Sequence, residues 1–188
     1  MTTAVSPRVV RSRTAILRAA LEELAEVGYG SFAIESVAAR AHVGKSTIYR
    51  HWRDKLDLVA DSFENAHEHM VPLADSGSAR DRLSLLIQHV AEVVVDSMFS
   101  RCIPALIEGA ERDARLRDFQ SRYSALRSRS LLELIAEGIE IGEFVPTVDE
   151  EMAITALLGA VFYGRLMTGS PFDPLRAREL VDLILPPP

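Results

Sequence analysis

The sequence predicts an all-α protein of about nine helices, on three observations. Apolar residues recur at steps of three and four along most of the 188 positions, the period of a helix with one buried face. No segment alternates apolar and polar residues in the way a half-buried strand does. Ten glycines and nine prolines punctuate the pattern, too few for a disordered or fibrous chain.

In order, Ile16, Leu17, Ala20, Leu21, Leu24 and Val27 share one helical stripe, and Gly28 is its stop signal. Two short segments follow, 34–41 and 44–51, each of about two turns. Leu56, Val59, Ala60, Phe63, His67 and Met70 line a longer helix that Pro72 ends, and 74–78 reads as a loop. Leu83, Ile87, Val90, Val94 and Met98 then recur at helical steps, while Leu85, Leu86, Val93 and Val95 fill other faces. A helix over 83–99 that is apolar on most sides is expected to be central. The pairs Glu108–Arg112, Glu111–Arg115, Asp113–Arg117 and Asp118–Arg122 support helix on both sides of a break near Asp113. A long helix through Phe119, Tyr123, Leu126, Leu134 and Ile135 reaches Gly142, and Pro146 marks a loop. Asp149, Glu150 and Glu151 load the next first turn with the acids its dipole favours, and Gly169 closes that helix. Asp173 and Pro174 open the last helix, which ends before Pro186.

With 48% hydrophobic residues, a chain of this length buries a core without disulfides or metal. Cys102, its single cysteine, excludes a disulfide scaffold and a multi-cysteine zinc site. The first eighteen residues carry Arg8, Arg11 and Arg13 without an apolar core, so no signal peptide is expected. No run reaches the ~18 apolar residues of a membrane helix, and the expected location is the cytoplasm. The net charge of −6 argues, taken whole, against a nucleic-acid binder. Charge is unevenly spread, however. Residues 1–60 hold nine bases and six acids, and 61–188 hold twelve bases and twenty-one acids. Such asymmetry is the mark of a basic nucleic-acid or membrane module on an acidic body.

Within the basic part, 34–51 reads as two short helices joined by a tight turn at His42-Val43, a helix-turn-helix pattern. Val37, Ala38, Val43 and Ile48 are its packing positions, and small Ala38 permits close approach. Lys45, Ser46, Thr47, Tyr49 and Arg50 are left for the outside; these donors suit phosphates and base edges in a major groove. The bland alternative is a pair of surface helices with solvated charges, but the apolar and donor positions segregate cleanly.

The stretch Gly28-Tyr29, then Val37-Ala38-Ala39-Arg40-Ala41-His42-Val43-Gly44-Lys45-Ser46-Thr47-Ile48-Tyr49-Arg50-His51-Trp52-Arg53-Asp54-Lys55, closely resembles the DNA-binding domain of TetR-family transcriptional regulators. The resemblance covers about residues 12–60, with Thr47, Tyr49, His51 and Lys55 at the family's spacing. It implies a flexible N-terminal arm over 1–10, a helix-turn-helix DNA-binding domain of three helices over 11–55, and a helical ligand-binding and dimerisation domain over 56–188. The helix over 56–70 would connect the two. Lys45, Ser46, Thr47 and Tyr49 would lie on the recognition helix, with Tyr49, His51 and Lys55 near phosphates. Arg11 and Arg13 would form an arm over the minor groove. Three departures stand out: Phe32-Ala33 replaces a hydroxyl residue before the second helix, where Ser31 is the nearest substitute. His42 occupies the usual turn glycine and tolerates a left-handed backbone better than most residues. Gly44 replaces the usual serine cap and is a poorer one.

Other motifs weigh less. Gly44-Lys45-Ser46-Thr47 ends like a phosphate loop, but its first glycine would be Ala39 and no strand precedes it. His67 and His69, two residues apart, point to different sides of a helix and read as solvated or interface histidines. Cys102 reads as a small core residue ahead of a redox sensor. Neither a catalytic constellation, a cofactor motif nor a metal site stands out, and no enzymatic activity is expected.

In the acidic part, Ala153, Ala156, Ala160 and Gly164 make a small-residue stripe beside Leu157, Val161, Leu180 and Ile184. It suits either close approach of a second copy or intramolecular packing. A helix-turn-helix unit reads few base pairs, so two copies on a palindrome are expected, and the family resemblance implies a homodimer through the last two helices. Val94, Met98, Cys102, Leu106, Phe119, Tyr123, Phe162 and Met167 are candidate lining of a ligand pocket, although a solid core explains the same pattern. The resulting expectation is a sequence-specific transcriptional regulator, a repressor released from its operator DNA by a small, mostly apolar ligand. The alternative is a helical protein-interaction adaptor that no longer binds DNA.

Overall fold

The computed structural model describes residues 7–68 and 76–187, with side chains from 10 to 66 and from 76 onward. Nine α-helices and no strand are present among the described residues. They are α1 Pro7–Ser31, α2 Ile34–Arg40, α3 Lys45–Tyr49, α4 Lys55–Glu68, α5 Ala79–Val95, α6 Met98–Arg112, α7 Ala114–Glu140, α8 Glu150–Tyr163 and α9 Ala177–Ile184. A π-helical turn, Gly164–Thr168, extends α8, and a 3-10 turn, Pro174–Arg176, leads into α9. Two compact units form. One is drawn from residues 1–70 and 101–120, the other from 71–100 and 121–188.

In the first unit the predicted stripes meet. Ile16, Leu17 and Leu24 of α1, Val37 of α2, Ile48 of α3, Leu58 and Phe63 of α4, and Leu116 of α7 have almost no exposed surface. Each such side chain stabilises the fold by about 1.5–3 kcal/mol. Gly28 ends the regular part of α1: its φ of 75° and ψ of 168° lie outside the helical region, so Tyr29–Ser31 form a separate turn. Val27, counted on the stripe, is exposed. No side-chain cap opens α2, whose N-cap is Ala33, so Ser31 does not replace the missing hydroxyl.

The second unit is built on Leu83, Ile87, Ala91 and Val94 of α5, Leu131, Leu134 and Ile135 of α7, Ala153, Leu157 and Val161 of α8, and Val181 of α9. Buried Arg80 ties its ends together, donating to Asp182 at 2.7 Å, to the Leu185 carbonyl at 2.7 Å and to the Glu143 carbonyl at 2.8 Å. Ser78 and Asp149 cap α5 and α8 through the backbone N–H groups of Asp81 and Met152.

Several expectations change. The helix expected over 83–99 stops at Val95, and Met98 begins α6. The Ser97 hydroxyl accepts from the Ser100 N–H at 2.9 Å and starts that new helix. Leu85 and Val95 are exposed, so α5 has a solvent side. The break near Asp113 is present, with the Asp113 carboxylate capping α7 through the Arg115 N–H at 2.9 Å. Of the four pairs proposed around it, Glu108–Arg112 forms, whereas Arg115 turns to Asp54 at 2.8 Å. Met70 and His69, with the side chain of His67, lie outside the described residues.

Candidate nucleic-acid interface

The angle between α2 and α3 is set by the backbone of His42. Its φ is +54°, the left-handed conformation that lets the chain leave a helix sharply. The Val43 N–H reaches back to the Ala38 carbonyl at 3.0 Å, and the His42 N–H to the Ala39 carbonyl at 3.2 Å. These are the two bonds of a Schellman motif, which satisfy the carbonyls α2 would leave open. Gly44 then starts α3 without a side-chain cap. Val37, Ala38 and Ile48 are buried beneath the turn.

That anchoring turns the other side of α3 outward. Lys45, Ser46, Tyr49 and Arg50 are exposed, Tyr49 by 52%, and Thr47 is half-buried. Beside them lies a concave recess of about 420 Å³ lined by Ser12 and Arg13 of α1, His42, Gly44, and Thr47, Arg50 and His51. It brings together four residues expected to meet DNA: Arg13, Thr47, Arg50 and His51. Lys45, Ser46, Tyr49, Lys55 and Arg11 lie outside its lining. Guanidinium, imidazole and hydroxyl donors converging on one concavity suit a phosphate chain.

Most cations here are already held by the protein. Arg13 grips both Asp61 oxygens at 2.6 and 2.7 Å, and the Trp52 indole N–H donates to the same carboxylate at 2.7 Å. Arg11 and Arg13 therefore belong to α1 rather than to a flexible arm, because the helix begins at Pro7 and Asp61 pins its first turns to α4. Lys45 pairs with Glu35 of α2 at 2.9 Å, and this partner holds the Glu35 carboxyl below the usual range. Lys55 donates to the Tyr29 carbonyl at 2.9 Å and stands 4.2 Å over the Tyr29 ring. Burial, reinforced by the charges of Asp113 and Asp54, pushes that phenol up to about 12. Arg50, by contrast, has no carboxylate partner among the described residues.

Glu35, Asp61 and Ser12 are the site residues the sequence reading missed. Ser12 sits one residue from Arg13, but nothing in the helical period singles it out. Glu35 and Asp61 act on cations ten and forty-eight residues away, beyond any local spacing rule.

The family model described as "Bacterial regulatory proteins, tetR family" matches residues 16–61, and "Tetracyclin repressor-like, C-terminal domain" matches 73–184. The chain belongs to the TetR family. It is 30% identical to the uncharacterized HTH-type transcriptional regulator YdeS of Bacillus subtilis, over 93% of this chain and 88% of that one. It is also 30% identical to the DNA-binding transcriptional repressor TetR of Mycobacteroides abscessus, over 91% and 90%. In fold it matches the transcriptional regulator FadR of Bacillus subtilis, solved with stearoyl-CoA, at a TM-score of 0.74. That match has 22% identity and covers 92% of this chain and 97% of that one. The first of the two family matches spans α2 and α3 whole.

In the TetR-type C-terminal part, the residues proposed for a pocket are divided between the units. Cys102, Leu106 and Phe119 fall in the first; Val94, Met98, Tyr123, Phe162 and Met167 fall in the second. Val94 is in the core, with Phe162 packed against it, and Tyr123 meets Phe99 at 6.3 Å between ring centroids. Met167, 73% exposed on the π-helical turn, lines no interior in the single chain. Cys102 is fully buried with its thiol directed to the Leu21 carbonyl at 3.2 Å. Burial pushes that thiol up to about 12, which keeps it protonated and unreactive.

Part of the stripe proposed for the dimer is turned inward in the single chain. Ala153, Leu157 and Val161 are buried in the core of their own unit, while Ala156, Ala160, Gly164, Leu180 and Ile184 are half-buried. The apolar residues that α8 and α9 present to solvent are Met152, Tyr163 and Leu183, the latter two 62% and 76% exposed. Gly159 lies on that outer side with open space around it. Among the described residues no group of three metal-binding side chains forms, and no helix is long and apolar enough to cross a membrane.

Proposed function

We propose that this TetR-family chain works in the cytoplasm as a homodimeric repressor that binds a palindromic operator and leaves it when a small, mostly apolar ligand binds. The observation that supports the DNA-binding part is the exposed side of α3, which we read as the recognition helix. Ile48 is buried and fixes α3, while Lys45, Ser46, Tyr49 and Arg50 are exposed and half-buried Thr47 joins Arg50 in lining the recess. Ser46 and Thr47 are short enough to meet base edges once the helix enters a major groove, and Lys45 reaches further. Tyr49, His51, Arg50 and Arg13 serve the phosphates. To engage DNA, Lys45 exchanges Glu35 for the duplex, so the acidic partner tempers non-specific attraction.

The outer face of Met152, Gly159, Tyr163 and Leu183 supports dimerisation. Exposed aromatic and aliphatic groups, such as Tyr163 on α8 and Leu183 on α9, are of the kind that form the core of a protein interface. Ligand binding in the C-terminal domain would act through α4, which carries Lys55 and Asp61, the partners of Tyr29 and Arg13. The matching FadR was solved with stearoyl-CoA, which supports a ligand-responsive reading.

Selection of DNA from a random pool tests the proposal. Enrichment of a palindrome with half-sites about one helical turn apart is the expected outcome. Failure to enrich any duplex, with the folded protein in hand, would favour the interaction-adaptor reading.

A further inference from the structure

We infer that the corner between α6 and α7 aims Lys55 at a DNA phosphate, with Arg115 and Asp54 as its positioning residues. The inference rests on the DNA-binding reading above and adds to it a residue far outside the helix-turn-helix. The family model for the C-terminal domain covers 73–184, yet residues 101–120 pack in the same compact unit as α1 and α4. Arg115 and the end of α6 therefore stand among the elements of the reading head.

Two capping aspartates tie this corner together. Asp54 precedes α4, and its Oδ1 accepts the Asp57 N–H at 3.0 Å, the bond of an N-cap. Its Oδ2 accepts from the Arg115 guanidinium of α7 at 2.8 Å. Asp113 precedes α7 in the same manner. Its Oδ1 accepts the Arg115 N–H at 2.9 Å, while its Oδ2 faces the Tyr29 hydroxyl at 3.5 Å. Each aspartate thus serves its own helix with one oxygen and reaches a neighbouring element with the other.

Lys55 opens α4 directly after the Asp54 cap. Its Nζ donates to the Tyr29 carbonyl at 2.9 Å and stands 4.2 Å over the Tyr29 ring. The side chain is held at both ends, its backbone through Asp54 and its head by Tyr29. Lys55 enters no ion pair among the described residues, and an ammonium has N–H donors to spare beyond the one given to Tyr29. Buried Tyr29 is in turn set by α6 and α7. A Cβ on Gly109 would fall 2.8 Å from the Tyr29 Cβ and 2.6 Å from Leu116 Cδ2, so glycine permits this close approach. A lysine already held in place loses less rotamer freedom on meeting a phosphate than one free in solvent.

Asp54→Asn separates positioning from simple charge, because the two predict opposite signs. Asparagine still caps α4 but gives up the ion pair with Arg115. Removal of an acid from a DNA-binding head by itself tightens duplex binding, whereas lost positioning weakens it. Fluorescence anisotropy on the full-length protein, with the selected palindrome and a scrambled duplex, reads the sign. Asp54→Asn should weaken both duplexes about threefold, and the effect should vanish in a Lys55→Ala background, as for groups that act through one another. Lys55→Ala alone should weaken both and lower the salt slope by about one. Exposed Arg115 supplies a second variant that leaves both caps in place: Arg115→Gln should repeat the loss, again only with Lys55 present, and Arg115→Lys should recover part of it. Tighter binding by Asp54→Asn, or equal losses with and without Lys55, would overturn the inference. So would an unchanged slope in Lys55→Ala; if the wild type still selects its palindrome, the broader reading stands without this contact. A wild-type protein that selects no DNA fails the broader reading and this inference with it.

Discussion

The Arg13 guanidinium and the Trp52 indole share a single carboxylate, that of Asp61, at 2.6 to 2.7 Å. Three segments of the reading head, α1, the loop after α3 and α4, are thereby tied at one point. The partners differ in exposure: Trp52 is buried, whereas the Arg13 side chain is 45% exposed. Removing Asp61 leaves a buried indole N–H without an acceptor, so Asp61→Ala should cost about 1–3 kcal/mol of stability. Arg13→Ala removes mainly a solvent-screened ion pair and should cost at most about 1 kcal/mol. Chemical denaturation of both variants checks the order, and equal costs would remove the indole bond from the account.

The Lys45–Glu35 pair gives a second prediction, on affinity. Glu35→Gln frees Lys45 for the duplex and removes a like charge from the DNA-facing side. Binding to any duplex should tighten several-fold, and the dependence of log affinity on log salt should steepen by up to about one unit. Lowering the pH acts in the same direction. The Glu35 carboxyl, held below its ordinary 4.5 by Lys45, keeps the pair intact above that value, and the pair is lost as pH falls through the depressed one. Fluorescence anisotropy at graded salt checks the first effect, and titration followed by NMR of the Glu35 side chain checks the second.

His42 carries the third. A non-glycine residue at φ +54° bears a steric cost that glycine avoids, so His42→Gly should stabilise the protein by about 0.5–1 kcal/mol. His42→Val, branched at Cβ, should destabilise it. Thermal melts of the two variants should shift in opposite directions.

A fourth concerns assembly. Tyr163→Glu together with Leu183→Glu places charge on the outer face of α8 and α9 and leaves the buried Ala153, Leu157 and Val161 untouched. The variant should keep its helical circular dichroism, sediment as a monomer and lose most of its affinity for a palindrome, since each head then binds alone. A dimer that survives the double substitution would place the interface elsewhere.

How far these features were legible in the sequence depended on the range of the contact. Val37, Ala38 and Ile48 were readable because packing of two short helices leaves an apolar signature within fifteen residues, and the turn at His42-Val43 is local too. The end of α5 was not readable, since Met98 continues the apolar step past a break made by Ser97. In α8 the inward turn of Ala153, Leu157 and Val161 was not readable for a related reason: a helix apolar on most sides has no single inward face in its sequence. Only packing against α5 and α9 turns Leu157 and Val161 inward and leaves Met152 and Tyr163 outside. The pairing of Arg13 with Asp61 and of Lys55 with Tyr29 lies further still from local pattern, because tertiary folding alone brings those residues together.

The central claim is that α3 reads base edges while its neighbours hold phosphates. Replacing Ser46 and Thr47 together by alanine and measuring affinity for the selected palindrome and for a scrambled duplex of equal length tests it most directly. The palindrome should lose at least about tenfold in affinity while the scrambled duplex stays within about twofold, because base contacts carry discrimination and phosphate contacts do not. Parallel loss on both duplexes, or no loss on either, would contradict it.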